Sequence, residues 1–335
     1  MKFFPSSHFR ITPKNNSVLE TLHERRKRFR ILVCLDGSEE SFSGLKLAAN
    51  IGHSEECDII LLYVRAIDQG IRSEGLQGHL AHKNMLDWGI ELPGIDYLKK
   101  AREHLIGDQG LSTDWTTSTS HTDSWGDPLG DNKVEYHHKN GRSIVLKLKT
   151  APDVASGILD QYELGPYNMI IMGAPSHWHS EVRAFFGASV AQKVSMLAPC
   201  SVLLSRPETK NTKGGHLICV DGTRHSLEAM RRDAILAHSS NQPVTLLCVA
   251  ESKKEIKQAE RVIEKCLEIL NKIDLKPKDT LVNLGDPQQE ILKIARDYAI
   301  TVIADSRKTL IRRLFSGGTS LRVMGNAQNS VLIIR

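Results

Sequence analysis

Asp36-Gly37-Ser38 and Asp221-Gly222-Thr223 are the stretches whose residue types could do chemistry at matched places in the chain. Each follows an apolar run, Leu32 to Leu35 and Leu217 to Val220, and each precedes a helical pattern. That order reads as a buried strand, a tight turn and a helix N-terminus. A carboxylate at such a turn can accept hydrogen bonds from a polar ligand, while the unpaired amides of the helix start favour an anion. The same carboxylate can shape the turn and cap the helix, and the two roles are compatible.

Other reactive side chains have plainer readings. His177 and His179, with His137 and His138 elsewhere, have a spacing too weak for a metal, and no Cys or acidic partner stands near them in sequence. No metal site is expected. Nothing near Cys200 lowers its pKa, so it reads as core. Asp153 and Asp286 stand at helix starts and read as caps. There is no Ser-His-Asp order, no paired carboxylate and no Lys-containing phosphate loop, so no catalytic residue is assigned and an enzyme is not expected.

The elements that hold these residues come as a repeat. Asp36 and Asp221 are 185 apart (221 − 36), and so are Val64 and Val249 at the ends of the next apolar runs (249 − 64). A register kept through strand, helix and second strand marks an internal repeat. The 335 residues have the length of two domains. The expected division is an extension over 1–28, a first domain over 29–206 with insertions at about 66–142, a linker over 207–215, and a second domain over 216–335. Val18, Leu19 and Leu22 hint at a short helix in the extension.

Strands alternating with helices imply parallel sheets with right-handed crossovers. In the first domain the insertion holds a helix with Ile95, Leu98, Ala101 and Leu105 on one face. A polar stretch follows, Leu111 to Asn132, which reads as a mobile loop carrying Trp115 and Trp125. Asn140-Gly141 predicts a hairpin between Val134–His138 and Arg142–Lys149. A strand over Tyr167–Met172, a helix over about Val182–Met196 and a strand over Ser201–Ser205 complete the domain.

Composition is that of an ordinary globular chain, 40% apolar and 25% charged. The net charge of +5 is mild, and Arg25 to Arg28 reads as a solvated helix end, so no nucleic-acid partner is expected. No apolar run is long enough to span a bilayer and no signal peptide is expected. Six cysteines without a Cys-x-x-Cys pair read as reduced, buried thiols of a cytoplasmic protein.

The strand ending in Asp-Gly-Ser, the Gly-started loop at Gly173, the Gly187-Ala188-Ser189 helix start and Ala198-Pro199-Cys200-Ser201-Val202-Leu203 resemble the universal stress protein family. The resemblance runs over about Phe29–Arg206 and again over His216–Arg335. It implies an α/β fold of two tandem doubly wound domains, each a five-stranded parallel sheet of order 3-2-1-4-5 flanked by helices. ATP-binding members hold adenine near the first-strand Asp and the second-strand end. They cradle the phosphates with Gly-x-x-Gly, nine residues, then Gly-Ser/Thr. The resemblance carries this site onto Asp36, Gly37, Val64, Gly173, Ser176, Gly187, Ala188 and Ser189 in the first domain, with the distal pair one residue late. In the second it falls on Asp221, Val249, Lys308, Gly318 and Thr319, with Asp305 and Lys308 in the glycine places.

A carboxylate at Asp305 repels a triphosphate, so the first domain is the better candidate for ATP. The implied role is a stress-response regulatory module binding an adenine nucleotide, with at most slow ATP hydrolysis and an unidentified protein partner. The alternative is a dimerisation scaffold without nucleotide. The fifth strands, Ser201–Ser205 and Ser330–Ile334, carry no charge or proline and would form unprotected edges. They are expected to meet in an intrachain pseudo-dimer, with homo-oligomers of whole chains left open.

Overall fold

The computed structural model describes residues 27–52, 57–66, 93–106, 114–124, 127–163, 167–174, 189–207, 214–305 and 319–335. The extension's helix, the two loop histidines, Trp125 and most of the linker lie outside them.

The first half runs β1 (Phe29–Cys34), α1 (Glu39–Ile51), β2 (Cys57–Ala66), α2 (Pro93–Ile106), β3 (Trp115–Ser124), β4 (Asp127–His138), β5 (Ser143–Ala151), α3 (Val154–Glu163), β6 (Met169–Gly173), α4 (Val190–Leu197) and β7 (Ser201–Ser205). The second runs β8 (His216–Val220), α5 (Arg224–Ser239), β9 (Val244–Ala250), α6 (Ile256–Asn271), β10 (Asp279–Leu284), α7 (Pro287–Ala295), β11 (Ile300–Ala304), α8 (Thr319–Asn326) and β12 (Ser330–Ile334).

The halves do not carry separate sheets. All twelve strands form one sheet in the order β10-β9-β8-β11-β12-β7-β6-β1-β2-β5-β4-β3. β7 and β12, the last strand of each half, pair antiparallel with Val331 opposite Leu204 and Ile333 opposite Val202. Their apolar side chains are sealed: Val202, Leu203, Leu204 and Val331 are 0% exposed. Each edge satisfies the other's backbone, and the linker holds the two at high effective concentration.

The inner strands are near-continuous apolar runs because helices cover both sheet faces there. One apolar layer joins Leu45 and Ala48 of α1 and Leu98 and Ala101 of α2 to Met230 of α5 and Ile263 of α6. The other joins Ile158 of α3 and Val194 of α4 to Ile291 of α7 and Val323 of α8. Both layers cross the joint.

Two arginines lock that joint by reciprocal exchange. Arg206, just after β7, donates to the carbonyls of Met324 (2.6 Å) and Asn329 (2.9 Å), and its amide donates to Ser330 Oγ at 3.1 Å. Arg335, just after β12, donates to the carbonyls of Ser195 and Cys200, the latter at 3.1 Å, and its amide donates to Ser201 Oγ at 3.4 Å. Each pair of counterparts is 129 apart (335 − 206, 324 − 195, 329 − 200 and 330 − 201). The joint is therefore a pseudo-two-fold axis on which each half's terminal arginine fills the other's helix-to-strand corner. Burial lowers the pKa of Arg206 to about 10, which still leaves it charged at neutral pH.

Two expectations change, for β3 and for the start of α4, and the hairpin holds. The stretch Leu111–Asn132 holds β3 and the start of β4, an antiparallel hairpin with Thr116 opposite His137 and Thr119 opposite Val134. Little apolar surface is needed there, because β-branched threonines suit an extended chain and the ladder to β4 satisfies the backbone. The hairpin at Asn140-Gly141 joins β4 to β5, with Gly141 at φ +88° as its turn requires. Helix α4 starts at Val190, later than the periodicity predicts. Ser189 has an extended backbone, ψ 159°, and caps it.

Candidate functional site at the switch points

Between β1 and β6, and between β8 and β11, connections leave in opposite directions, and such a crevice is where open α/β sheets take ligands. The Asp-Gly-Ser/Thr turns stand at its mouth. In the first half Asp36 Oδ1 accepts from the Ser38 amide at 3.0 Å and the Ser38 hydroxyl at 2.5 Å. Ser38 Oγ caps α1 by accepting from the Ser41 amide at 3.1 Å. In the second half Asp221 Oδ1 accepts from Thr223 N and Oγ1 at 2.9 and 2.7 Å, and Thr223 Oγ1 accepts from the Ser226 amide at 3.2 Å. The aspartates thus shape the turns, and Ser38 and Thr223 do the capping. Burial alone would raise the Asp221 carboxyl, but hydrogen bonds from Ser226 and Thr223 outweigh it and hold the group below its usual value.

The turn glycines take φ +85° at Gly37 and +79° at Gly222, conformations that other residues rarely adopt. Their neighbours differ. A Cβ on Gly37 would lie 2.3 Å from Tyr97 Cζ, whereas one on Gly222 would lie 2.6 Å from Val262 Cγ2. An aromatic ring on α2 therefore covers the first turn, with Tyr63 of β2 tilted against it at 6.0 Å between centroids. Sequence reading missed Tyr97 because it sits on the inserted helix, outside the repeat.

Behind the turns the second strand outruns the first. β1 and β2 pair only as far as Cys34 opposite Leu62, and β2 continues to Ala66. β8 and β9 pair as far as Val220 opposite Cys248, and β9 continues to Ala250. Val64 and Val249 thus lie where backbone groups face the crevice instead of a first-strand partner. Val64's side chain turns away, against Gly157 of α3.

Gly173 closes the fourth strand of the first half. A Cβ there would fall 2.8 Å from the Ser41 amide nitrogen and 2.9 Å from Glu40 Cβ, so the glycine lets α1 sit directly on β6. The register corrects its counterpart. Met169 pairs with Ser201 and Gly173 with Ser205, while Ile300 pairs with Ser330 and Ala304 with Ile334. Ala304, not Asp305, answers Gly173, and the second loop place falls at position 307, not on Lys308. The next residues agree: the Ala174 amide donates to Ser205 O at 3.1 Å and the Asp305 amide to Ile334 O at 3.0 Å.

The helix starts shift likewise. Ala198 bonds back to Val194 and Ala327 to Val323, so the offset of 129 places Gly318, not Thr319, opposite Ser189. Ser189 forms a capping box, accepting from the Gln192 amide at 3.3 Å while its own amide donates to Gln192 Oε1 at 2.9 Å. Thr319 is the first residue of α8. Ser176, Gly187, Ala188, Lys308 and Gly318 lie outside the described residues.

Asp305 has a partner that sequence reading did not find. Its Oδ2 accepts from Arg335 Nε at 2.9 Å, with the arginine side chain only 3% exposed. The signal was available, since Arg206 and Arg335 follow the same strand of the repeat. The residue after β11 is thus a carboxylate tied to the joint, where the first half has Ala174 after β6. Among the described residues no group of three or more His, Cys, Asp or Glu could hold a metal ion. Burial pushes the Cys200 thiol up to about 11, although Arg335 lowers it in part. A cavity of about 430 Å³ lies at the far end of the strands, beside His238, Val244, Asp274 and Lys278, away from either switch point.

A model of the universal stress protein family matches residues 216–335. No curated protein matches the chain. A solved Pseudomonas aeruginosa UCBPP-PA14 protein, provisionally described as a universal stress protein, is 15% identical with a TM-score of 0.58, over 93% of this chain and 94% of its own. A universal stress protein from Archaeoglobus fulgidus DSM 4304 is 14% identical with a TM-score of 0.57, over 91% of this chain and 96% of its own. At such identities these likenesses concern the fold, and they extend it across both halves. Residues 216–335 belong to the universal stress protein family, and the chain is a tandem of two domains with that fold.

Proposed function

We propose that the chain is a regulatory module that binds one adenine nucleotide, ATP, in the crevice of its first half. The observation that carries the reading is that the first half keeps the loop glycine, Gly173, at the end of its fourth strand, where the matched place in the second half is Ala304. The Asp36 turn and the uncovered end of β2 would face the base and ribose. The first turn of α4, opened by Ser189, would face the phosphates, where helix amides favour an anion. Single-domain universal stress proteins have been solved with cAMP and, in Archaeoglobus fulgidus, with dAMP, at 17% and 18% identity to this chain.

Gly173→Asp is a poor test, because any side chain there strikes α1. Ser189→Asp is cleaner. Aspartate caps a helix as well as serine does, so the fold is kept while a negative charge enters beside the phosphates. ATP titrated into the full chain by calorimetry should bind, and Ser189→Asp should weaken binding at least tenfold, about 1.4 kcal/mol. Unchanged affinity in a folded Ser189→Asp protein would overturn the placement.

A further inference from the structure

Two tyrosines gather on the elements that face the base in the nucleotide site proposed above. Tyr63 stands on β2 one residue beyond Leu62, the last residue that β2 pairs with β1. Tyr97 of α2 lies on the Asp36-Gly37-Ser38 turn, its Cζ, Cε2 and Oη at 2.3, 2.6 and 2.7 Å from a Cβ built on Gly37. The two rings are 6.0 Å apart between centroids and inclined at 57°, an arrangement that aromatic pairs favour. Gly94 braces the pair from α2. A Cβ there would fall 2.3 Å from Tyr63 Cδ1, so the start of the helix sits directly on that ring. Both tyrosines are partly buried.

At the matched places of the second half neither residue is aromatic. The residue 185 beyond Tyr63 is the buried Cys248 (63 + 185 = 248), and the side chain on Gly222 is Val262 of α6. Val262 shows that an aliphatic side chain is cover enough for such a turn. Covering Gly37 therefore does not by itself call for a tyrosine.

We infer, on the strength of that nucleotide site, that Tyr97 braced by Tyr63 contacts the base with its ring and makes the first half select a purine. Stacking on an aromatic side chain needs only the flat face of a base, and the larger face of a purine gains more from it than a pyrimidine does. The ring carries no positive charge and offers nothing to phosphates, which are left to the first turn of α4. Gly94, Tyr63 and Tyr97 are already packed on one another, so the ring is held in place before a ligand arrives and little ordering cost opposes binding. The second half, with Cys248 and Val262 at these places, has no such surface for a base.

Calorimetric titration of ATP and CTP into the full chain tests this. The wild type should bind ATP more tightly than CTP. Tyr97→Val, which gives the turn the aliphatic cover of its counterpart, should weaken ATP roughly tenfold and narrow the gap to CTP. Tyr97→Phe keeps the ring and should restore the ATP affinity. The contact itself is read by NMR on a deuterated chain in which tyrosine alone is protonated. Adenine H2 and H8 of bound ATP should show NOEs to a tyrosine ring, and these should vanish in Tyr97→Phe while ATP still binds. Equal wild-type affinity for ATP and CTP, an equal fall for both or none in Tyr97→Val, a Tyr97→Phe chain as weak as Tyr97→Val, or bound ATP without those NOEs would overturn the inference and leave the nucleotide site standing. A wild type that binds no ATP would overturn both.

Discussion

The two halves repeat one plan, and they differ most where the plan meets charge. At the switch point the first half has Ala174 and the second Asp305, held by Arg335. In the layer beneath α1 and α5 the same order holds. Ile31 and Ala48 of the first half are apolar and 0% exposed. Their counterparts 185 residues on, His216 and Asp233, form a buried pair at 2.8 Å. Asp233 Oδ1 has no hydrogen-bond partner. Repeats of one fold thus tolerate polar substitutions where a partner is supplied nearby.

The buried pair gives the largest expected effect. His216→Ala strands the Asp233 carboxylate and should cost roughly 3–5 kcal/mol in denaturant unfolding. His216→Ile with Asp233→Ala copies the first half, and should restore wild-type stability or exceed it. A double variant as unstable as the single one would mean that the pair does more than satisfy itself.

Next come the arginines of the joint. Arg335→Ala leaves Asp305 and two carbonyl groups without their donor, and Arg206→Ala does the same to Met324 and Asn329. Each should cost about 1–3 kcal/mol and loosen the cooperativity of the halves, read as a broadened unfolding transition. A loss confined to one arginine would break the pseudo-two-fold equivalence.

Tyr97→Val gives the first turn the smaller cover of the second. The lost packing on Gly37 should cost about 1–2 kcal/mol, measured by thermal unfolding. The smallest effect is one of pH. The Asp153 carboxyl is held below its usual value by the Ser156 hydroxyl and amide, and Asp221 is also lowered. Their contribution is complete above the unfolded-state value, near pH 4, and is lost as pH falls through the lowered folded-state values. Unfolding midpoints at pH 7 and pH 3 should therefore differ less in Asp221→Asn than in the wild type.

Much of this was legible in residue patterns. The 185-residue offset located both Asp-Gly turns, and Asn140-Gly141 located the β4–β5 hairpin. The apolar fifth strands announced their need for a partner. What failed was register and composition. Ala304 was passed over because a loop glycine lost from sequence leaves no mark, and only strand pairing shows which residue stands in its place. β3 was read as a loop because it lacks apolar residues, yet its threonines are paired through the backbone. Tyr97 and the Arg335–Asp305 pair depend on contacts between elements distant in sequence, which no local pattern carries.

The central claim is that one half of the repeat keeps a nucleotide site and the other does not. Calorimetric titration of ATP into the intact chain, beside Asp36→Asn and Asp221→Asn, tests it directly, since asparagine preserves either turn. The account predicts one ATP per chain, weakened by Asp36→Asn and unaltered by Asp221→Asn. Two sites per chain, or binding weakened only by Asp221→Asn, would contradict it.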